Sequence, residues 1–262
     1  MNEVAFTCIG LALVFVMNAL GAAAVFLFRK EISPRFNTLF LGFASGVMVA
    51  ASVWSLLLPS LEGAADWGTW SFVPAVGGFL LGGVFLVILD KLVPHTHCGT
   101  NEDEGLCVAL KKPVKLLLAV TLHNIPEGLA VGFAFGAAAM AGSEQSLVAA
   151  LALAVGIGIQ NLPEGAAVAL PMKSATGSRG KAFGYAVLSG AAEPLFGIVG
   201  FFLAAHLAVA QPWFLAFAAG AMIFVVAEDL IPDAKMESHP HLGTWGVMLG
   251  FVLMMTLDVV FG

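Results

Sequence analysis

Apolar residues run along this chain in long blocks, with polar residues gathered into short gaps. Eight blocks stand out, at roughly 4–28, 36–58, 71–93, 114–137, 146–171, 181–205, 212–231 and 242–261. Each is close to the length of about 20 residues that carries a helix across the hydrocarbon core of a bilayer. None alternates in polarity as barrel strands do. The pattern predicts an all-α polytopic membrane protein with eight transmembrane helices in a single domain over 1–262. The first block is preceded by Glu3 rather than a basic cluster. It is also longer than the apolar core of a signal peptide, so it reads as a span.

Composition strengthens this picture. The chain is 60% hydrophobic and only 11% charged, with a mean hydropathy of +0.96. Soluble domains sit nearer half apolar and a quarter charged. That much apolar surface implies membrane lipid as its surroundings. The net charge of -6 constrains little, because in a membrane protein the placement of charge matters more than its sum. Cys8, Cys98 and Cys107 are too few and too scattered for a disulfide framework. With no dense basic patch, nucleic acid is excluded as a partner.

Charge placement then sets orientation. Arg29, Lys30 and Arg35 follow the first block, and Lys91, Lys111, Lys112 and Lys115 the third. Lys173, Arg179 and Lys181 follow the fifth, and Lys235 the seventh. These are all 11 basic residues of the chain. The positive-inside rule puts these connections in the cytoplasm, and both termini outside it. The expected location is the plasma (inner) membrane. The longest connection, 90–115, contains a polar cytoplasmic loop at about 94–113 between the third and fourth helices. The 30 glycines, grouped as in "GGFLLGG" and "GFAFG", read as close helix packing. Asn18 reads as interhelical glue. The tryptophans fall mostly near expected interfaces, as an aromatic belt does.

Chemistry concentrates where the chain is most apolar. "HNIPEG" (123–128) and "QNLPEG" (160–165) lie inside the fourth and fifth blocks. His123 and Glu127 are four apart and share a helix face, as do Gln160 and Glu164. Pro126 and Pro163 lack an N–H and so free the carbonyls of Leu122 and Ile159. Helices broken in this way at membrane depth line cavities where carbonyls meet ions or water. Glu193, before Pro194, lies at the centre of the sixth block. An ionised carboxylate at mid-bilayer costs about 2.5–3.5 kcal/mol. No lysine or arginine lies near the middle of a block to offset it, so protons or a cation must. Histidine with glutamate and the amides of Asn124, Gln160 and Asn161 makes a mixed nitrogen and oxygen donor set. Such a set suits zinc, iron or manganese, whereas calcium and magnesium favour oxygen alone. Glu127 and Glu164, on antiparallel helices, can bridge two ions. The bland alternative is a protonated hydrogen-bond network around two kinks.

"HNIPEG" and "QNLPEG" on consecutive spans, with Glu-Pro on the sixth, resemble the signature of the ZIP family of divalent metal transporters, in its short prokaryotic branch. The resemblance covers essentially the whole chain. It implies metal passage into the cytoplasm, passive or proton-linked, through a mid-membrane binuclear centre between proline-kinked helices 4 and 5. The first ion would use His123, Glu127, Gln160 and Glu164, with Met48 matching a thioether ligand of some members. The second would use Asn124, Glu127, Asn161, Glu164 and Glu193; some members carry aspartate at the position of Asn161. Asp90, His95 and His97 with Glu228 and Asp229 resemble a release site. The metal expected as substrate is Zn2+, with Cd2+, Fe2+ or Mn2+ as alternatives. A homodimer is a further implication.

Several polar groups have plainer readings. His239 and His241 read as surface histidines, and Asp258 as a polar helix end that also attracts cations. Glu62, Asp66 and Glu144 would do so weakly at long range. An intramembrane zinc hydrolase is disfavoured. There is no H-E-x-x-H, and every mid-membrane carboxylate is already a candidate ligand. A proton or organic-cation transporter without metal is the other rival. The chain reads as a transporter, not an enzyme.

Overall fold

A computed structural model describes residues 3–27, 33–93, 95–96, 103–104, 112–234 and 239–261. The first helices are α1 (Glu3–Ala22), α2 (Ala24–Leu27), α3 (Pro34–Ala51), α4 (Leu58–Gly63) and α5 (Phe72–Leu92). A two-residue antiparallel pair follows, β1 (His95–Thr96) with β2 (Asp103–Glu104), inside the stretch expected to be an irregular loop. Then come α6 (Lys112–Ala141), α7 (Glu144–Thr176), α8 (Arg179–Gly190), α9 (Ala192–His206), α10 (Gln211–Val225), α11 (Ile231–Asp233) and α12 (Pro240–Phe261).

Helix boundaries follow local chemistry. The Ser33 side chain accepts from the Phe36 N–H, with Pro34 in the first turn where its missing N–H costs nothing. The turn between α6 and α7 uses Gly142 at φ 64, then Ser143 as cap to the Ser146 N–H. α7 ends on left-handed Gly177, and Ser178 caps α8.

Among the described residues, seven helical stretches are long and apolar enough to cross a membrane: Val4–Leu27, Pro34–Gly63, Phe72–Leu92, Glu144–Leu170, Arg179–Ala204, Gln211–Leu230 and His241–Phe261. The remaining long helix, α6, has 30 residues and carries the first proline motif. α6 continues through Pro126, and α7 through Pro163.

Three irregularities were not visible in the hydropathy pattern. Ser52–Leu57 and Val226–Leu230 are π-helical, a widening that marks functional positions in many helices. The Arg179–Ala204 stretch is divided at Ala191, where α8 ends and α9 begins.

Glycine explains how the helices pair. A Cβ on Gly46 would collide with the Val247 carbonyl, and one on Gly250 with that of Phe43. Equivalent collisions join Gly82 to Phe217, Gly220 to Phe79, Gly132 to Gly197 and Gly165 to Asn18. Small residues one turn apart thus let backbones touch. Residue numbers rise together within each pairing, so α1 with α7, α3 with α12, α5 with α10 and α6 with α9 are parallel pairs.

The bundle has two chemically distinct ends. At one, Ser60 Oγ donates to the Pro212 carbonyl at 2.7 Å, and Ser55 Oγ to Asp258 Oδ1 at 2.5 Å. At the other, Thr38 Oγ1 donates to the Ala234 carbonyl at 2.7 Å. Arg35, Lys91, Lys173, Arg179 and Lys181 all sit on helix ends of this second kind. Trp67 and Trp70 are exposed on a 3-10 turn at the first end, where Gly68 adopts φ 58. Trp54 instead packs inward, its ring 5.3 Å from that of Phe251.

Candidate metal centre

The two proline motifs meet where α6, α7 and α9 converge. Gln160 Nε2 of α7 donates to Glu127 Oε1 of α6 at 2.6 Å. The next residue of α7, Asn161, donates through Nδ2 to Glu193 Oε2 of α9 at 2.7 Å. Its second acceptor is the Val14 carbonyl of α1, at 3.5 Å. Two neighbouring amides on one helix therefore bind two carboxylates on two others, and α1 closes the fourth side.

This cluster is sealed. Asn124, Gln160 and Asn161 are 0% exposed, Glu127 and Glu193 1%, and Glu164 5%. Glu127, Glu164 and Glu193 lie within electrostatic reach of one another. Yet among the described residues the buried atoms Asn124 Oδ1, Glu127 Oε2, Gln160 Oε1, Asn161 Oδ1 and Glu193 Oε1 have no hydrogen-bond partner. A buried polar group left this way costs about 1–3 kcal/mol. Four of these oxygens, on Glu127, Gln160, Asn161 and Glu193, belong to side chains already joined in pairs, and such acceptors without donors are complementary to a cation; Asn124 has its Nδ2 without a partner as well. No lysine or arginine lies among them.

Of the residues expected at the centre, the structure joins Gln160 to Glu127 and Asn161 to Glu193, sets Glu164 within electrostatic reach of both carboxylates, and buries Asn124 on α6 three residues before Glu127. His123 lies on α6 one turn before Glu127, and its side chain is outside the described residues. Met48 is fully buried on α3, in the same apolar core as Leu122, Ile125 and Ile157. Among the described residues no three His, Cys, Asp or Glu side chains converge tightly enough to hold an ion by themselves.

The expected release site is less complete. Asp90 is half-buried near the end of α5, Glu228 is exposed, and Asp229 is buried at 6% in the Val226–Leu230 π turn. Neighbours on one turn, Glu228 and Asp229 thus have opposite exposures. The His95 side chain and all of His97 fall outside the described residues, as do Cys98 and Cys107. His241 is exposed and His239 half-buried.

A cavity of about 500 Å³ opens at the end of the bundle that lacks basic residues. Trp54, Ser55, Glu62, Gln145 and Asp258 are among its lining residues. Asp258, read from sequence as a polar helix end, is here a cavity wall held by Ser55.

Comparison with known proteins gives the family. The family model described as "ZIP Zinc transporter" matches residues 111–258, which include both proline motifs and Glu193. "Zinc transporter ZIP11" of Homo sapiens is 35% identical over 94% of this chain and 94% of its own length. "Zinc transporter ZIPB" of Bordetella bronchiseptica is 38% identical over 99% of this chain and 82% of its own. "Zinc transporter GufA" of Myxococcus xanthus is 35% identical, covering 94% of both chains. Similarity of this extent makes this chain a member of the ZIP zinc transporter family, a family of transport proteins rather than enzymes.

Proposed function

We propose that the protein carries a divalent transition metal, zinc foremost, across the plasma (inner) membrane into the cytoplasm, through the cluster between α6, α7 and α9. The observation that carries this reading is the set of donor-less oxygens around Glu127 and Glu193. An apolar, closed interior does not keep such a group without a cation to meet it. The names of the relatives, all zinc transporters, agree.

In this reading α6 is the eighth span. The parallel pairs support it. With α6 crossing the membrane, odd spans pair with odd (α1 with α7, α5 with α10) and even with even (α3 with α12, α6 with the α8–α9 span). Alternating spans can pair in parallel only in this way. The basic ends then face the cytoplasm, both termini lie outside, and the 500 Å³ cavity is the outer vestibule.

The mechanism follows from the donors. A hydrated ion entering the vestibule exchanges water for His123, Glu127, Gln160 and Glu164, with Met48 as thioether donor. Proline-kinked α6 and α7 supply the freed carbonyls of Leu122 and Ile159. Gln160 and Asn161 now point their N–H groups at carboxylates. They turn these amides over to offer oxygen when metal arrives. A second ion would share Glu127 and Glu164 and add Asn124, Asn161 and Glu193. The ion leaves toward Asp90, His95, His97, Glu228 and Asp229.

Radioactive zinc uptake into liposomes holding the purified protein tests this. Saturable entry that His123→Ala and Glu164→Ala each abolish is the expected result. A folded wild type that admits no metal would overturn the reading.

A further inference from the structure

Two hydrogen bonds fasten the α3–α4 run to the α10–α11 run, one at each end of the bundle. Thr38 Oγ1 donates to the Ala234 carbonyl and Ser60 Oγ to the Pro212 carbonyl, both at 2.7 Å. The two runs are therefore antiparallel. The same number of residues separates Thr38 from Pro212 as separates Ser60 from Ala234. Exchanging the runs by that step returns the same two contacts. The glycine contacts obey the exchange. Gly46 meets the Val247 carbonyl as Gly220 meets that of Phe79, and Gly250 meets the Phe43 carbonyl as Gly82 meets that of Phe217. From α3 to α10 the step is unchanged, and one common step relates α5 to α12. The π turns obey it too, since they begin at Ser52 and Val226. This is an inverted repeat, the architecture in which one half of a transporter moves against the other around a fixed site.

Under this exchange Met48, expected as a thioether ligand, has a counterpart, and it is again a methionine. Met222 stands four residues before its π turn, as Met48 does before the other. Both fall about halfway between the two hydrogen bonds, at mid-depth of the bundle. Both are 0% exposed, in one apolar core. Their neighbours correspond as well: α3 packs on α7 and α10 on α6, the two helices that carry the proline motifs. Between Leu215 and Val225, Met222 is the one buried side chain larger than alanine. Its helix leads directly into the Val226–Leu230 turn that holds Glu228 and Asp229. The same helix packs on α5, which carries Asp90.

We infer that Met222 Sδ is a second thioether ligand for the transported ion, serving it on the exit side as Met48 serves it on the entry side. The inference rests on the transport reading above. A thioether is soft and uncharged, so it favours zinc over harder cations without adding another buried charge. It also bends easily on its unbranched stem, which suits a donor that engages in one half of the cycle and withdraws in the other. The ion then passes from Glu127 to Met222 and on to Asp229 and Asp90, along one face of α10.

The test uses full-length protein in detergent, with Cys8, Cys98 and Cys107 replaced by serine and cadmium as the probe. Met222→Cys places a thiol on the same stem, and a thiolate bound to cadmium gives an ultraviolet charge-transfer band. The band is expected with Met222→Cys and is expected to vanish when Glu127→Ala is added. Met172→Cys is the control, because Met172 is equally buried but lies in a separate apolar cluster; no band is expected there. In liposomes with an entrapped zinc indicator, Met222→Leu, which conserves volume, is expected to slow zinc entry about tenfold. No band with Met222→Cys would overturn the inference, and so would wild-type zinc entry in Met222→Leu. Slow entry in Met222→Leu without a band in Met222→Cys would make Met222 a packing residue. Failure of the transport reading looks different: the wild type would admit no zinc, or Glu127→Ala would transport normally.

Discussion

The amide nitrogen of Asn161 lies 2.7 Å from Oε2 of Glu193, joining α7 to α9 in the interior of the bundle. One residue earlier, Gln160 does the same for Glu127 at 2.6 Å. Hydrogen bonds to a charged acceptor contribute about 1.5–3 kcal/mol. In the proposed mechanism these amides turn over to offer oxygen when a cation arrives. Asn161→Ala is accordingly expected to destabilise the metal-free protein by about 1–3 kcal/mol. Thermal denaturation in detergent with chelator present reads this directly. An unchanged midpoint would mean that the amide adds nothing to Glu193.

Gln160→Leu separates the hydrogen bond from bulk. It removes both the donor to Glu127 and the carbonyl oxygen offered to the ion. Zinc affinity is expected to fall about 10–100-fold, the usual loss when a metal-orienting partner is removed. Equilibrium titration of the purified protein measures it, and wild-type affinity would place Gln160 outside the coordination.

Zinc itself should protect the fold. A ligand held only by the native state, present at about one hundred times its dissociation constant, stabilises by about 2.7 kcal/mol. The melting midpoint is expected to rise by several degrees with zinc and to fall back with chelator. Glu127→Ala should erase the difference, and a shift that survives in that variant would locate the binding elsewhere.

Helix pairing through bare backbone gives another test. In Gly46→Val the new side chain meets the Val247 carbonyl, a rigid neighbour that cannot move aside. Overpacking of this kind costs about 1–3 kcal/mol, and lower yield of folded protein with a depressed melting midpoint is expected. Gly184→Val is the control, because nothing lies within 4 Å of a Cβ there. It is expected to melt within about a degree of wild type, in keeping with the small effects of substitutions that touch nothing.

Sidedness can be read by labelling. With Cys8, Cys98 and Cys107 replaced, Glu144→Cys is expected to react with an impermeant thiol reagent on intact cells. Lys173→Cys should react only after permeabilisation. The reverse pattern would invert the topology and the direction of transport with it.

The sequence made much of this visible for physical reasons. Apolar blocks of spanning length can bury their backbones only as helices, so the all-helical architecture followed from hydropathy. Glu127, Glu164 and Glu193 stood out because a mid-membrane carboxylate without lysine or arginine is expensive, and all three are buried together. Hidden features were those that depend on contact rather than content. The π turns at Ser52–Leu57 and Val226–Leu230 each add one residue to a helical turn, which leaves hydropathy unchanged. Glu193-Pro194 hinted at a break in the sixth span, yet its place at Ala191 depends on packing. Asp258 read as a polar helix end that also attracts cations, and its bond to Ser55 was hidden because Ser55 is 203 residues away in sequence.

The glycine-backed pairs carry a last consequence, for how such a protein can drift. Where two backbones touch through missing side chains, the contact does not depend on which apolar residues stand around it. Leu80, Ile88, Phe202 and Val252 are all at least half exposed, or close to it, on the outer faces of these pairs. They can be exchanged for other apolar residues without disturbing the interior. Such a bundle can retune its outer surface to a thicker or thinner bilayer while its carboxylates keep their places.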